Sequence, residues 1–114
     1  MKTTLTPYFY TDTMLSGEKF EYTFLYDFDI ADHFGENAIR DTYKRALNEW
    51  KSNIRAVAEI YIALNMRCWF WYENGNNELS GLYEELFYKL RNFVYDDNTP
   101  YSKKELSEFF RLTD

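Results

Sequence analysis

Apolar residues recur at helical spacing through the middle of the chain. At intervals of three or four residues they are Ile39, Tyr43, Ala46, Trp50, Ile54, Val57, Tyr61, Leu64, Cys68 and Trp71. This spacing follows one face of an α-helix, and residues 37–73 contain no glycine or proline. The pattern therefore predicts one long helix over residues 37–73. The alternative is a break near residues 51–53, where Ser52 would cap a second helix.

A turn and a second apolar stripe follow the long helix. In the turn signal at residues 74–77, Gly75 suits the left-handed position after a helix and Asn77 suits the cap of the next one. The stripe beyond it comprises Leu79, Leu82, Tyr83, Leu86, Phe87, Leu90, Phe93 and Val94. We expect the two helices to form an antiparallel αα-hairpin. The sequence from Ser102 to Glu105 fits a capping box and predicts a short closing helix.

The amino-terminal part of the chain has a different pattern. In residues 20–26 every second residue is aromatic, namely Phe20, Tyr22, Phe24 and Tyr26. The residues between them are Glu21, Thr23 and Leu25. A period of two predicts a strand, and the β-prone residues 8–11 with the turn signal at 16–18 predict an N-terminal β-hairpin. An extended arm is the alternative. Residues 29–35 begin with Asp29 and end with Gly35, which predicts a single helical turn.

These elements predict a mainly α fold. It comprises a long helix, an antiparallel αα-hairpin and a short C-terminal helix, with an N-terminal β-hairpin or extended arm that leaves an α+β arrangement open. A chain of 114 residues suits a single domain over 1–114, with a β-like arm at 1–26 and a helical part at 28–114. Aromatic residues make up 21% of the chain. We therefore expect a core built largely from rings.

Charge and cysteine content restrict location and partners. A formal net charge of −6 suits a soluble protein, whereas a nucleic-acid binder that uses its whole surface would be basic. The single cysteine, Cys68, cannot form an internal disulfide, which favours the cytoplasm. The amino terminus lacks the apolar core of a signal peptide, and no stretch approaches the roughly 18 apolar residues of a membrane span. We expect neither secretion nor membrane insertion.

Few residues suit catalytic or metal chemistry. His33 and Cys68 are the only histidine and cysteine, and we expect a surface or capping imidazole and a buried, inert thiol. Glycine-rich phosphate loops, the H-E-x-x-H zinc motif and the G-x-S-x-G nucleophile motif are absent from the sequence. We therefore expect no enzyme and no catalytic, cofactor or metal site, and the sequence identifies no small-molecule substrate.

Two sets of side chains are candidate contact surfaces. The basic stripe lies within about 60° on one side of the predicted long helix and comprises Arg40, Lys44, Lys51 and Arg55. It would bind phosphates or an acidic partner, unless it is neutralised within the molecule by Asp27, Asp29, Asp32 and Glu36. The aromatic belt comprises Trp69, Phe70, Trp71 and Tyr72. It is either covered by the N-terminal arm or forms an interface with a partner or a second copy.

Several segments resemble small proteins encoded on conjugative and other mobile elements of anaerobic gut bacteria. They are YDFDIADHFG at residues 26–35, IRDTYKRA at 39–46, EWK at 49–51 and FRLTD at 110–114. The similarity extends from about Phe20 to the last residue. It implies a bacterial cytoplasmic protein with an accessory role in element transfer, regulation or conflict with host defences. No catalytic or binding residues are established for that group, so none is transferred to this chain.

The favoured function is a non-enzymatic interaction module that docks a protein partner or a second copy through the aromatic belt. The first alternative is a small acidic inhibitor of a nucleic-acid enzyme, such as a host-defence nuclease, in the manner of an anti-CRISPR protein. The carboxylates that would imitate phosphates are Glu78, Glu84, Glu85, Asp96 and Asp97. The second alternative is nucleic-acid binding through the basic stripe.

Overall fold

The computed structural model describes residues 23–96 and 98–110, and five α-helices account for most of them. They are α1 (Thr23–Asp32), α2 (Glu36–Trp50), α3 (Ile54–Glu73), α4 (Asn77–Val94) and α5 (Lys103–Phe109). The described residues contain no strand. The mainly α class, the αα-hairpin of α3 and α4 and the short closing helix are confirmed.

Helix α3 is the centre of the molecule, and the other four helices pack against it. Residues 60–65 are all buried in succession, which is typical of a helix that is surrounded on every side. The Tyr61 ring stacks on Phe87 at 4.4 Å and meets Phe110 edge-on at 5.1 Å. Among the described residues the buried core contains 8 rings and 11 leucine, isoleucine or valine side chains. The five largest fully buried side chains of this part are all rings, so rings supply a large part of the core although aliphatic side chains are more numerous.

The predicted long helix is broken at residues 51–53. Helix α2 ends at Trp50, and α3 begins at Ile54 after Asn53, whose backbone is extended and whose Oδ1 accepts from the Ala56 amide at 3.2 Å. The cap is therefore Asn53 and not Ser52. An unbroken helix of this length would span about 55 Å, whereas the molecule is 37 Å long. The break lets α2 turn back onto α1 and α3, where its apolar face is buried.

The strand prediction for residues 20–26 is wrong from Thr23 onward, because these residues form the first turn of α1. Helix α1 buries Phe24, Phe28 and Ala31, which lie four and three residues apart and share one face. Phe24 and Tyr26 also fit the period of two of a strand, but in the helix Phe24 is buried and Tyr26 is 65% exposed. Packing against α3 therefore decides between helix and strand. Residues 8–18, 20 and 22 lie outside the described residues.

Local signals at the helix ends match the structure closely. Gly35 ends the turn after α1 with φ 98°, and Gly75 follows α3 with φ 78°, as expected for left-handed glycines. Asn76, rather than Asn77, caps α4 by accepting from the Leu79 amide at 3.0 Å. Ser102 and Glu105 form both hydrogen bonds of the capping box.

None of the helices in the described ranges has the length and hydropathy needed to cross a membrane.

Candidate functional site

The aromatic belt divides into two small faces. Phe70 and Tyr72 are 43% and 48% exposed, whereas Trp69 and Trp71 are half-buried. The rings meet in two edge-to-face pairs, Phe70 with Trp71 at 5.0 Å and Trp69 with Tyr72 at 5.6 Å. The two exposed rings lie two positions apart on α3, which separates them by about 200° around the helix. They therefore do not form one continuous surface.

A buried polar cluster joins α1 to the helical hairpin. We call it the Asp32 cluster, and it comprises Asp32, Arg67, Trp71 and Tyr83. The Asp32 carboxylate is 4% exposed and accepts hydrogen bonds from the Arg67 guanidinium, the Tyr83 hydroxyl and, at 2.9 Å, the Trp71 indole. Arg67 is 9% exposed and also lies 3.4 Å from the more exposed carboxylate of Asp29. The ion pair of Asp32 with Arg67, together with the hydrogen bond from Tyr83, thus links α1, α3 and α4.

Burial, together with the bond to Asp32, raises the pKa of the Tyr83 hydroxyl far above its usual value, so this hydroxyl is neutral and donates. Its oxygen is also 3.3 Å from the Phe28 carbonyl. The Arg67 guanidinium lies over the Phe70 ring at 4.3 Å, which is a cation–π contact. The groups of the cluster face one another, and we therefore interpret it as a device that holds α1 on the hairpin.

The break between α2 and α3 divides the basic stripe. Arg40 and Lys44 lie on α2, Lys51 lies in the junction and Arg55 lies on α3. Arg40 binds both carboxylate oxygens of Glu85 on α4, at 2.7 and 3.1 Å, and its Nε contacts Glu36 at 2.9 Å. The hydrogen bond with Arg40 lowers the pKa of the Glu85 carboxyl, and the bond with Glu85 raises the pKa of Arg40. One end of the stripe is thus engaged within the molecule.

The acidic residues considered for phosphate mimicry are in different situations. Glu85 is bound to Arg40, and Asp96 accepts from the Asn98 amide of its own turn at 2.8 Å. Glu78 and Glu84 lie on α4, and Asp97 is outside the described residues. Glu85 and Asp96 therefore have contacts within the chain.

His33 and Cys68 occupy unrelated environments. His33 is exposed just after α1, while Cys68 is completely buried, with its sulfur 3.6 Å from the Ser80 hydroxyl. Ser80 in turn donates to the Cys68 carbonyl at 3.0 Å, which ties α3 to α4. Within ranges 23–96 and 98–110, no group of three or more histidine, cysteine or acidic side chains is arranged to hold a metal ion.

A groove of about 720 Å³ lies between α1 and α2 and reaches the start of α3. We call it the α1–α2 groove. Its lining includes four alanines, whose small side chains leave the space between the helices unfilled: Ala31, Ala38, Ala46 and Ala56. Three large apolar side chains line it while remaining exposed, namely Phe34 at 78%, Ile30 at 43% and Trp50 at 39%. Half of the large apolar side chains exposed in the described part converge here.

The α1–α2 groove is also acidic. Its charged lining residues are Asp27, Asp41, Glu49, Glu59 and Arg45. Four carboxylates and one guanidinium give a formal charge of −3, which is half of the net charge of the whole chain. Glu59 also accepts from the Phe24 amide at 3.2 Å and so fixes the start of α1 at one end of the groove.

The groove escaped the sequence analysis because it depends on how helices are placed. Ile30 and Phe34 are four residues apart, a spacing that indicates one helical face, but residues 29–35 alone predicted only a single turn. Trp50 fits the apolar face of the expected long helix, but it is the last residue of α2 and is 39% exposed. No family model, curated protein or solved structure matches this chain.

Proposed function

We propose that this protein is a non-enzymatic interaction module that docks a protein partner through the α1–α2 groove. The observation that carries the proposal is the convergence of Ile30, Phe34 and Trp50 on one groove with a floor of small side chains. Exposed apolar clusters of this kind mark interaction sites, and tryptophan is favoured in them. The docking surface is thus centred on α1 and α2 rather than on the aromatic belt.

An accessory role in a bacterial mobile element, in the cytoplasm, completes the proposal. Its support is the resemblance of residues 26–51, which coincide with most of the groove lining. Nucleic-acid binding through the basic stripe is the less favoured alternative, since Arg40 already binds two carboxylates. A gel shift at low salt tests that alternative, because electrostatic binding is strongest there.

Site-specific photocrosslinking in the native host tests the proposed surface. The photoreactive residue p-benzoylphenylalanine replaces Phe34 in one variant and Phe70 in the matched control, which is also an exposed ring. We expect a discrete crosslinked product from position 34 and none from position 70. Filling the groove with Ala38→Phe should remove the product.

The opposite pattern would refute the proposal. A product from position 70 alone would assign docking to the aromatic belt, and a product from position 34 that survives Ala38→Phe would mean that the groove is not the contact. Circular dichroism of each variant checks that the helical content is retained.

A further inference from the structure

We infer that the partner contributes an amphipathic helix of about three turns, with an apolar face for the α1–α2 groove and lysine or arginine residues beside that face. This inference rests on the proposed docking function and adds the chemistry of the partner. The dimensions of the groove, its charge and the charge of the competing occupants all bear on it.

The dimensions favour a helix. Along α2 the lining runs from Ala38 to Trp50, and twelve residues of helix span about 18 Å. A helix of about three turns covers that length and presents apolar side chains at positions i, i+4 and i+7. All elements of the described ranges are helices, so an extended peptide finds no strand edge to pair with there.

The charge of the groove favours a basic partner. Asp27, Asp41 and Glu49 are exposed, so they remain able to contact a bound segment. Arg45 lies four residues from both Asp41 and Glu49 on α2, within the reach of an i,i+4 pair, and it compensates only part of their charge. An acidic segment in this position would meet like charges, whereas a basic segment would gain attraction and faster association.

The same charge disfavours the two occupants that the chain itself offers. Residues 1–22 precede Thr23 at the end of the groove, and they contain two lysines and three acidic residues, a formal charge of −1. A second copy of the chain carries −6. Neither complements a groove of charge −3, so a separate basic partner fits the observations best.

Binding of designed peptides to the full chain tests the inference by isothermal titration calorimetry. Two 14-residue peptides share one leucine-rich helical face, and their remaining positions are lysine and arginine in one and glutamate in the other. A third peptide keeps the basic positions but has serine in place of leucine. We expect the basic amphipathic peptide to bind at least about tenfold more tightly than the other two, and its Kd to rise with salt.

Variants of the protein locate the contact. The double variant Asp41→Asn/Glu49→Gln removes two groove carboxylates and should raise the Kd of the basic peptide about fivefold, since each exposed charge pair contributes little. The matched control, Glu73→Gln/Glu78→Gln, removes the same charge from exposed positions outside the groove lining and should leave the Kd unchanged. Phe34→Ser should weaken binding of the basic peptide without unfolding the protein, because the Phe34 side chain is mostly exposed.

The outcomes separate this inference from the proposed function. Equal or tighter binding of the acidic peptide, or equal weakening by both charge variants, would overturn the basic partner, while crosslinking at position 34 could still support docking. Absence of binding by all three peptides would overturn the helical partner. Binding of a synthetic peptide of residues 1–22, abolished by Phe34→Ser, would assign the groove to the chain's own amino terminus.

Discussion

Replacing Asp32 by asparagine should destabilise the protein strongly. The substitution keeps the size of the side chain but removes the charge that faces the Arg67 guanidinium, and both side chains are buried. It also turns an amide group toward donors, because the carboxylate accepts from Arg67, Trp71 and Tyr83 at once. Breaking a buried ion pair by removing one partner costs about 3–5 kcal/mol, a large part of the roughly 5–15 kcal/mol that stabilises a domain.

Urea unfolding followed by far-UV circular dichroism measures this loss. The control is Asp29→Asn, because Asp29 faces the same guanidinium at 3.4 Å but its side chain is 55% exposed. Exposed ion pairs contribute at most about 1 kcal/mol, so the control should lose less than that. The difference between the two variants measures the combined effect of burial and of the additional hydrogen bonds that Asp32 accepts.

A double-mutant cycle with Arg67→Met tests whether Asp32 and Arg67 act on each other. Residues in one buried network couple by about 0.5–3 kcal/mol, and this contact should fall in the upper half of that range. A loss below about 1 kcal/mol for Asp32→Asn, or a coupling energy below about 0.5 kcal/mol, would refute the role given to the Asp32 cluster.

Three further predictions concern local features. Gly75→Ala should lower the free energy of unfolding by about 1 kcal/mol because Gly75 has φ 78°. Gly81→Ala should raise it by about 0.5–1 kcal/mol, because Gly81 lies inside α4 with open space at its Cβ position. Urea unfolding measures both variants, and changes of the same sign would contradict this prediction. Asn53→Ala should lower the free energy of unfolding by about 1 kcal/mol, whereas Ser52→Ala should leave it almost unchanged. A larger loss in Ser52→Ala would identify Ser52 as the cap of α3. Burial raises the pKa of Tyr43 to about 12 from an ordinary value of about 10. The free energy of unfolding should therefore be highest below pH 10 and decline towards pH 12, and it should decline less in Tyr43→Phe. Equal declines in the two proteins would contradict the role given to Tyr43.

Signals that act within one turn of the chain were predicted well. Gly75 adopts the left-handed conformation expected of it, and Ser102 and Glu105 form both bonds of the capping box. The cap of α4 is displaced by one residue, from Asn77 to Asn76. Neighbouring asparagines have the same chemistry, and only the path of the turn selects between them.

Longer elements were predicted less well. The apolar spacing from Ile39 to Trp71 is equally compatible with one helix and with two, because α2 and α3 both turn that face to a common core. At the break, the Tyr101 hydroxyl donates to the Lys51 carbonyl, a bond between residues that are far apart in sequence. No local pattern contains that contact.

The α1–α2 groove was not predicted from the sequence, which pointed to a different set of aromatic side chains. An excess of aromatic residues indicated an exposed aromatic surface, and the sequence directed attention to residues 69–72. In the structure Trp71 is engaged by Asp32, whereas Phe34 and Trp50 remain exposed beside the α1–α2 groove. Exposure depends on which neighbour covers a side chain, and residue type does not specify that.

Periodicity and capping were sufficient for the helical class, the αα-hairpin and the closing helix, because backbone hydrogen bonds and caps join residues close in sequence. The helical start of α1, the break after Trp50 and the groove depend on contacts across dozens of residues, such as those of Glu59 with Phe24 and of Arg67 with Asp32. Packing against α3 selects among conformations that are locally almost equivalent, so these features were decided by the tertiary structure alone.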